Sequence, residues 1–323
     1  MKNQDTTKTR FVLFVTLLLI ICCGAEQALS EDAPAQANTN QSTPPDKQPA
    51  DDEHLFEKCD YVLSAYVNDN GDVDYATLRR KRNDINDAVR EIQDITPIQY
   101  LAWDSNHQKA FLINAHNIFT LKLIVDNYPI KPLWFMINYP SDSMKHIESG
   151  RARQKIFFNI IKHEYTLREI ERDLLLGGFE ENDDSEIDIL IDKFDDLRVI
   201  FALTYASKSS AFLRNEAYRP DRLDTQLDEQ VKKFLASDRG MVIDKQNNQV
   251  SLSGIFDWYK EYFLLSDYSR IKKFRQQPDN IRAYLNFIVR YVSPEDASYL
   301  SNADFDARRT VRYHWDLNDT ANK

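Results

Sequence analysis

The stretch QKAFLINAHNIFTLKLIVDNY, Gln108 to Tyr128, carries Phe111, Ala115, Ile118, Leu121, Ile124 and Val125 at steps of three and four. That spacing gathers the apolar side chains on one face of an α-helix. The helix ends at Tyr128-Pro129, because the residue before a proline is pushed out of the helical region. These residues read as the central helix of a core. Asn114 and Asn117 lie three apart and so share a face of it. A buried amide costs free energy unless its hydrogen bonds are made, so the pair either ties loops to the core or lines a pocket. Both are candidate ligand-binding residues.

Working outward, residues 55–67 have helical spacing and Asn68-Asp69-Asn70-Gly71 signals a turn. Residues 75–95 read as a charged surface helix. Residues 155–161 are a candidate strand, after which Thr166 and Glu169 form a capping box for a short helix running to Leu176. Residues 220–235 carry Leu223, Leu227, Val231 and Leu235 on one helical face. A hairpin over 241–252 turns at Asn247-Asn248, and Ser253 caps the helix that follows. Another helix covers 281–292, and 310–317 is a final strand. Helices dominate and strands are scattered, which predicts an α+β fold: a helix-rich single domain with a small sheet and a C-terminal strand.

A second segment, LRVIFALTYASKSSAFLRNEAY (Leu197 to Tyr218), passes from an apolar run into small hydroxyl residues and then a basic turn. Its first nine residues suit either a strand or a buried helix, since an unbroken apolar run does not discriminate. Small polar residues at the end of a buried element let a ligand approach the backbone, which makes Ser207 and Arg214 candidate ligand contacts. The segment holds no Cys, His or Asp. Ser209 and Ser210 would need a histidine from elsewhere, such as His116 or His163, to become nucleophilic.

The start of the chain is of another kind. Lys2, Lys8 and Arg10 precede an uncharged apolar run, residues 11–23, which is short for a membrane span. This is a signal-peptide pattern over residues 1–30, with cleavage expected after Ser30; retention of the run as an anchor is the alternative. Ile20 and Ile21 before Cys22 do not suit a lipoprotein site. Residues 31–52, with Pro44, Pro45 and Pro49, offer little to bury and read as a disordered linker. The domain then spans 53–318, with 319–323 a tail. An exported, periplasmic or extracytoplasmic location follows as an expectation.

Composition narrows the classes. The net charge is −10, and without a basic stripe that argues against nucleic acid as a partner. The membrane is a partner only if the apolar run is retained. Once residues 1–30 are removed only Cys59 remains of three cysteines, so no internal disulfide forms; Cys59 reads as a small buried side chain. The six histidines lack the short spacing of a zinc site, and seven glycines form no phosphate loop. No metal and no cofactor is expected. Glu171, between Arg168 and Arg172, either orients a partner side chain or sits on a solvated helix. His116, Trp258 and Tyr259 read most simply as core residues.

The segments AFLINAHNIFTLKLIVDNYP (Ala110 to Pro129), YTLREIERDLL (Tyr165 to Leu175), FALTYASKSSAFLRNEAY (Phe201 to Tyr218) and LSGIFDWY (Leu252 to Tyr259), with YHWDLN (Tyr313 to Asn318), occur in one order. In these the chain resembles the domain of unknown function 547 family over residues 55–318. The resemblance implies an envelope protein of unestablished activity. It also implies a thiol-type site, with a Cys, two His and a Glu, where imidazole would lower the thiol pKa. At the family's Cys and His positions this chain has Ser210, Ile200 and Arg172, while Asn114, Asn117, Glu171 and Arg214 match. The reading is a catalytically degenerate binding module with a remnant pocket, its partner a small ligand or another envelope protein. The alternative is a hydrolase or transferase using Ser210, with Glu171 in support.

Overall fold

A computed structural model describes residues 55–177, 196–302 and 304–322, all within one compact unit, Asp51–Lys323. The expected signal peptide and linker lie outside the described residues. The architecture is α+β, with a two-stranded and a three-stranded sheet set among helices.

Among the described residues four helices precede the central one: α1 (Glu57–Tyr66), α2 (Tyr75–Arg80), α3 (Arg82–Asp94) and α4 (Pro97–Ala102). Glu91 of α3 accepts the Lys58 and Cys59 backbone N–H groups at 3.0 Å, satisfying donors that the start of α1 would otherwise leave open. Cys59 is fully buried, and burial together with Glu91 pushes its thiol well above the ordinary range. The turn between α1 and α2 needs Gly71. Its φ is +74°, and an added Cβ would stand 2.8 Å from the Leu213 backbone nitrogen.

Residues 75–95 are two helices rather than one, broken at Lys81. The apolar stripe Tyr75, Leu78, Ile85, Ala88, Val89 and Ile92 is buried, but Arg82 falls on its line. Breaking the helix there keeps a guanidinium out of the core. These helices are therefore core elements with one charged face.

The central helix, α5 (Ser105–Asn127), starts three residues earlier than its apolar pattern, because Asp104 caps it by accepting the His107 N–H at 2.9 Å. From Ala110 to Leu121 every residue is buried. A helix apolar on all sides belongs inside a fold.

Strands β1 (Phe157–Ile160) and β2 (His163–Thr166) form an antiparallel pair; only the first was legible. Thr166 then makes the expected capping box, its Oγ accepting the Glu169 N–H at 3.3 Å while Glu169 accepts the Thr166 N–H at 2.7 Å. The short helix Leu167–Glu169 widens into a π-helical run, Ile170–Leu175. Residues 197–205 are neither strand nor α-helix: Leu197–Phe201 is a 3₁₀ turn, and the chain beyond it is held by Asn117 instead of a ladder.

Helix α6 (Leu223–Leu235) leads into β3 (Met241–Asp244) and β4 (Gln249–Ser253), the expected hairpin. Next come α7 (Gly254–Trp258), α8 (Lys260–Leu265), α9 (Asp279–Ile288) and α10 (Pro294–Asn302). Strand β5 (Asp306–Val311) pairs parallel with β4. The last strand thus sits earlier than the 310–317 expected. Residues 313–317 leave the sheet because the serine cluster binds them. Ser209 Oγ accepts the His314 N–H, the Lys208 N–H donates to Asp316 O (both 2.8 Å), and Ser207 bridges to Leu317. The expected tail is also part of the fold, since Asp319 is buried and the Thr320 N–H donates to Val73 O at 3.1 Å.

Candidate ligand-binding cleft

A cleft of about 400 Å³ opens where six segments meet. The turn Met144–Gly150 supplies Lys145, and the helical turn Ala152–Lys155 supplies Arg153. The π-helical stretch and the turn before it supply Arg168, Glu171 and Arg172. Tyr205 comes from the chain after the 3₁₀ turn, Trp258 and Tyr259 from the end of α7, and Trp315 from the C-terminal segment. π-helical turns often mark functional positions, because the extra residue re-aims side chains.

Glu171, 2 % exposed, is the hub. Its Oε1 accepts the Tyr259 hydroxyl at 2.6 Å, and its Oε2 accepts the Tyr205 hydroxyl at 3.0 Å. Oε2 also accepts Arg153 Nη2, and the two phenol oxygens lie in close contact. Burial opposes ionisation of Glu171, but Arg153, His116 and the Tyr259 bond outweigh it and hold the carboxyl below its usual range. Burial and the Glu171 charge push both phenols up, so they stay protonated and donate.

Behind this hub lies His116 of α5, fully buried, its Nε2 3.2 Å from Arg153 Nη2 and 3.9 Å from Glu171. Since the guanidinium only donates, Nε2 accepts and the proton resides on Nδ1, which has no hydrogen-bond partner among the described residues. Burial, reinforced by Arg153, lowers its pKa to about 3. The imidazole is a neutral acceptor that orients Arg153.

The lining holds four cations, Lys145, Arg153, Arg168 and Arg172, against one carboxylate. Lys145 stands 3.9 Å above the Trp315 ring; its burial, and then Arg153, lower its pKa. Arg172 approaches Glu171 at 3.9 Å and the Trp258 carbonyl at 3.5 Å. Trp258 and Trp315 stack at 5.6 Å, and Tyr313 packs against both.

Of the candidate site residues, Glu171 lines this cleft and Asn114, Asn117, Ser207, Ser209, Ser210 and Arg214 do not; Trp258 and Tyr259, read as core residues, also line it. Asn114 exchanges two 2.9 Å bonds with the Tyr218 backbone. Asn117 does the same with Ala202 O and Thr204 N–H. Arg214 is spent on Glu216 and Glu229. Ser207 bonds the Tyr313 hydroxyl at 2.7 Å. Ser210, 1 % exposed, accepts the Tyr205 N–H at 2.8 Å, and its other neighbour is the Tyr313 phenol rather than an imidazole. Asn114, Asn117, Ser207 and Arg214 thus make hydrogen bonds within the fold, and none of the four lines this cleft; the buried Arg214 Nε has no hydrogen-bond partner among the described residues. Arg172 also lines the cleft.

Residues 100–235 match the model of a family described as "Protein of unknown function, DUF547". Over those residues the chain is similar to the DUF547 family. Comparison with curated proteins and with solved structures gives no match. The DUF547 span contains every charged residue of the lining, whereas Trp258, Tyr259 and Trp315 follow it. Among the described residues no cluster of three or more His, Cys, Asp or Glu is placed to hold a metal ion.

Lys145, Arg153, Tyr205 and Trp315 were not anticipated. Arg153 sits in a one-turn helix with no apolar periodicity, and Trp315 reaches the cleft only because the serines dock its segment. The one signal for Trp315 was the tryptophan within the C-terminal YHWDLN block.

Proposed function

We propose that this domain is a binding module whose cleft recognises a small ligand without transforming it, in a chain exported through its first 30 residues and tethered by residues 31–52. The observation behind this is the state of Glu171. Two phenols and Arg153 take three of the carboxylate's roughly four lone-pair positions and both of its oxygens, so it is tied to the protein rather than free to take up a substrate proton. A general base needs that freedom. Ser210, the alternative nucleophile, is buried behind Tyr205 with no imidazole bonded to it.

The reading of export rests on the sequence of residues 1–30. Its direct check is the N-terminal residue of the mature protein, expected at Glu31.

The cleft reading is tested by a thermal-shift screen of the purified domain against a metabolite library, repeated on Trp258→Ala. Hits that depend on Trp258 and are recovered chemically unchanged are expected. Conversion of such a hit, abolished by Lys145→Ala or Ser210→Ala, would overturn the reading in favour of an enzyme.

A further inference from the structure

The cleft's charge departs from that of the chain. A protein of net charge −10 lines this one recess with four cations and a carboxylate that Arg153 already neutralises. Lys145 and Arg168 have no ion pair among the described residues. Low-dielectric walls focus such a field and concentrate anions there. Arg153 adds direction: Glu171 and His116 both hold its Nη2, while the side chain keeps 20 % of its exposure toward the recess. A guanidinium clamped on one side and open on another is prepared for an oxyanion.

The facing wall is aromatic. Trp258 is 36 % exposed although Tyr205, Tyr313 and Trp315 pack on it. The gap between the two indoles is closed, because their centroids are 5.6 Å apart and their planes only 18° from parallel. A ring therefore lies on the open surface of Trp258 and cannot insert between the tryptophans. Lys145 already covers the Trp315 ring at 3.9 Å. The volume, about 400 Å³, is at the small end of ligand pockets.

Resting on the binding reading above, we infer that the ligand is a monosaccharide-sized acid: a carboxylate or phosphate held by Arg153, Arg168 and Lys145, carried on a ring that lies flat against Trp258. Each half is insufficient alone. A bare anion leaves the indole uncovered, and a neutral ring leaves the cations unpaired in a recess.

The test is tryptophan fluorescence and calorimetry with a fixed panel: glucuronate, glucose 6-phosphate and benzoate as ring-bearing acids, acetate and inorganic phosphate as anions alone, and glucose as the neutral ring. The ring-bearing acids are expected to bind at least about tenfold more tightly than glucose or the bare anions, and less tightly as salt rises. Arg168→Ala and Lys145→Ala, at positions that keep no ion pair, should each weaken the tightest member about tenfold while the melting temperature holds. Trp258→Ala should bring it down to the level of the bare anion. Glucose binding as well as glucuronate, bare anions binding as well as ring-bearing ones, or no response from the whole panel would overturn this inference. Any of these leaves the binding reading standing if the library screen returns a different Trp258-dependent ligand unchanged; turnover of a hit sinks the binding reading itself.

Discussion

Two sets of buried polar groups flank α5, and they are finished differently. Asn114 and Asn117 face the 197–218 segment with each amide oxygen and nitrogen matched to a backbone group at 2.9 Å. His116, Arg153 and Glu171 form the other set, where His116 Nδ1 and Arg153 Nε remain without partners among the described residues. A saturated polar group is scaffold, because any ligand would have to break a bond already made. Unused donors beside an open recess are where recognition has something to gain.

The largest effect that separates the two sets is on the acid side. His116 is neutral in the folded state, with a pKa near 3 against 6.5 for the free side chain. Between those values the unfolded chain binds more protons than the folded one, so stability rises with pH across the window and is lost as pH falls from 6.5 toward 3. Glu171, held below its usual range, acts in the same direction lower down: its contribution is full above the unfolded value and disappears as pH falls through the folded one. The loss is on the order of several kcal/mol. Urea unfolding from neutral to mildly acid pH measures it, and His116→Gln, which keeps an acceptor for Arg153 but does not titrate, should flatten the slope. An unchanged slope in that variant would show that the buried imidazole is not the group responsible.

Next in size is Glu171→Ala. It strands Arg153 and two buried phenols, and the loss of one partner from a buried ion pair costs about 3–5 kcal/mol. The lower end applies because the Arg153 side chain keeps 20 % of its exposure. Glu171→Gln, which retains an acceptor, should recover part of this in the same denaturation experiment. A cost within about 0.5 kcal/mol, the range of surface substitutions, would mean that the hub is not assembled.

The amides give a smaller loss with a sharper contrast. Asn117→Ala leaves the Ala202 carbonyl and the Thr204 N–H unsatisfied in the core, at about 1 kcal/mol for each group, the low end for neutral backbone groups. Arg168→Ala, on the exposed rim, should stay within about 0.5 kcal/mol. If the two variants unfold at the same denaturant concentration, the division between scaffold and site is wrong.

The fold was legible where local chemistry decides it. The apolar spacing of α5, the capping box at Thr166 and the Asn247-Asn248 turn each act within a few residues, and each appears where the pattern placed it. The site was legible only at Glu171. Asn114, Asn117 and Arg214 stood out as polar residues in apolar surroundings, but sequence does not say whether a polar group is spent on a backbone 85 or more positions away, as the Asn117 and Asn114 bonds are. The serine cluster misled for a related reason. Its hydroxyls and backbone receive residues 313–317, so its role is to deliver Trp315 to the cleft wall. Arg153 and Lys145 gave no pattern at all, since each lies on a segment of a single turn whose position depends on packing against distant chain.

The smallest change is the one that tests the binding reading most directly. Ser210→Cys puts a thiol where the family resemblance places one, and the substitution alters a single atom. The site would still be 1 % exposed, and the side chain would still face the Tyr205 N–H and the Tyr313 phenol, with no imidazole to take its proton. Burial without a basic partner raises a thiol pKa and leaves it unreactive. Iodoacetamide should therefore label the variant's new thiol only after unfolding, as it should Cys59, whose thiol is also buried and pushed well up. Rapid labelling of native Ser210→Cys, with Cys59 untouched, would mean that the surroundings still activate a nucleophile and that one atom separates this cleft from catalysis. Slow labelling of both would show that the surroundings of residue 210 do not activate a nucleophile, whichever atom stands there.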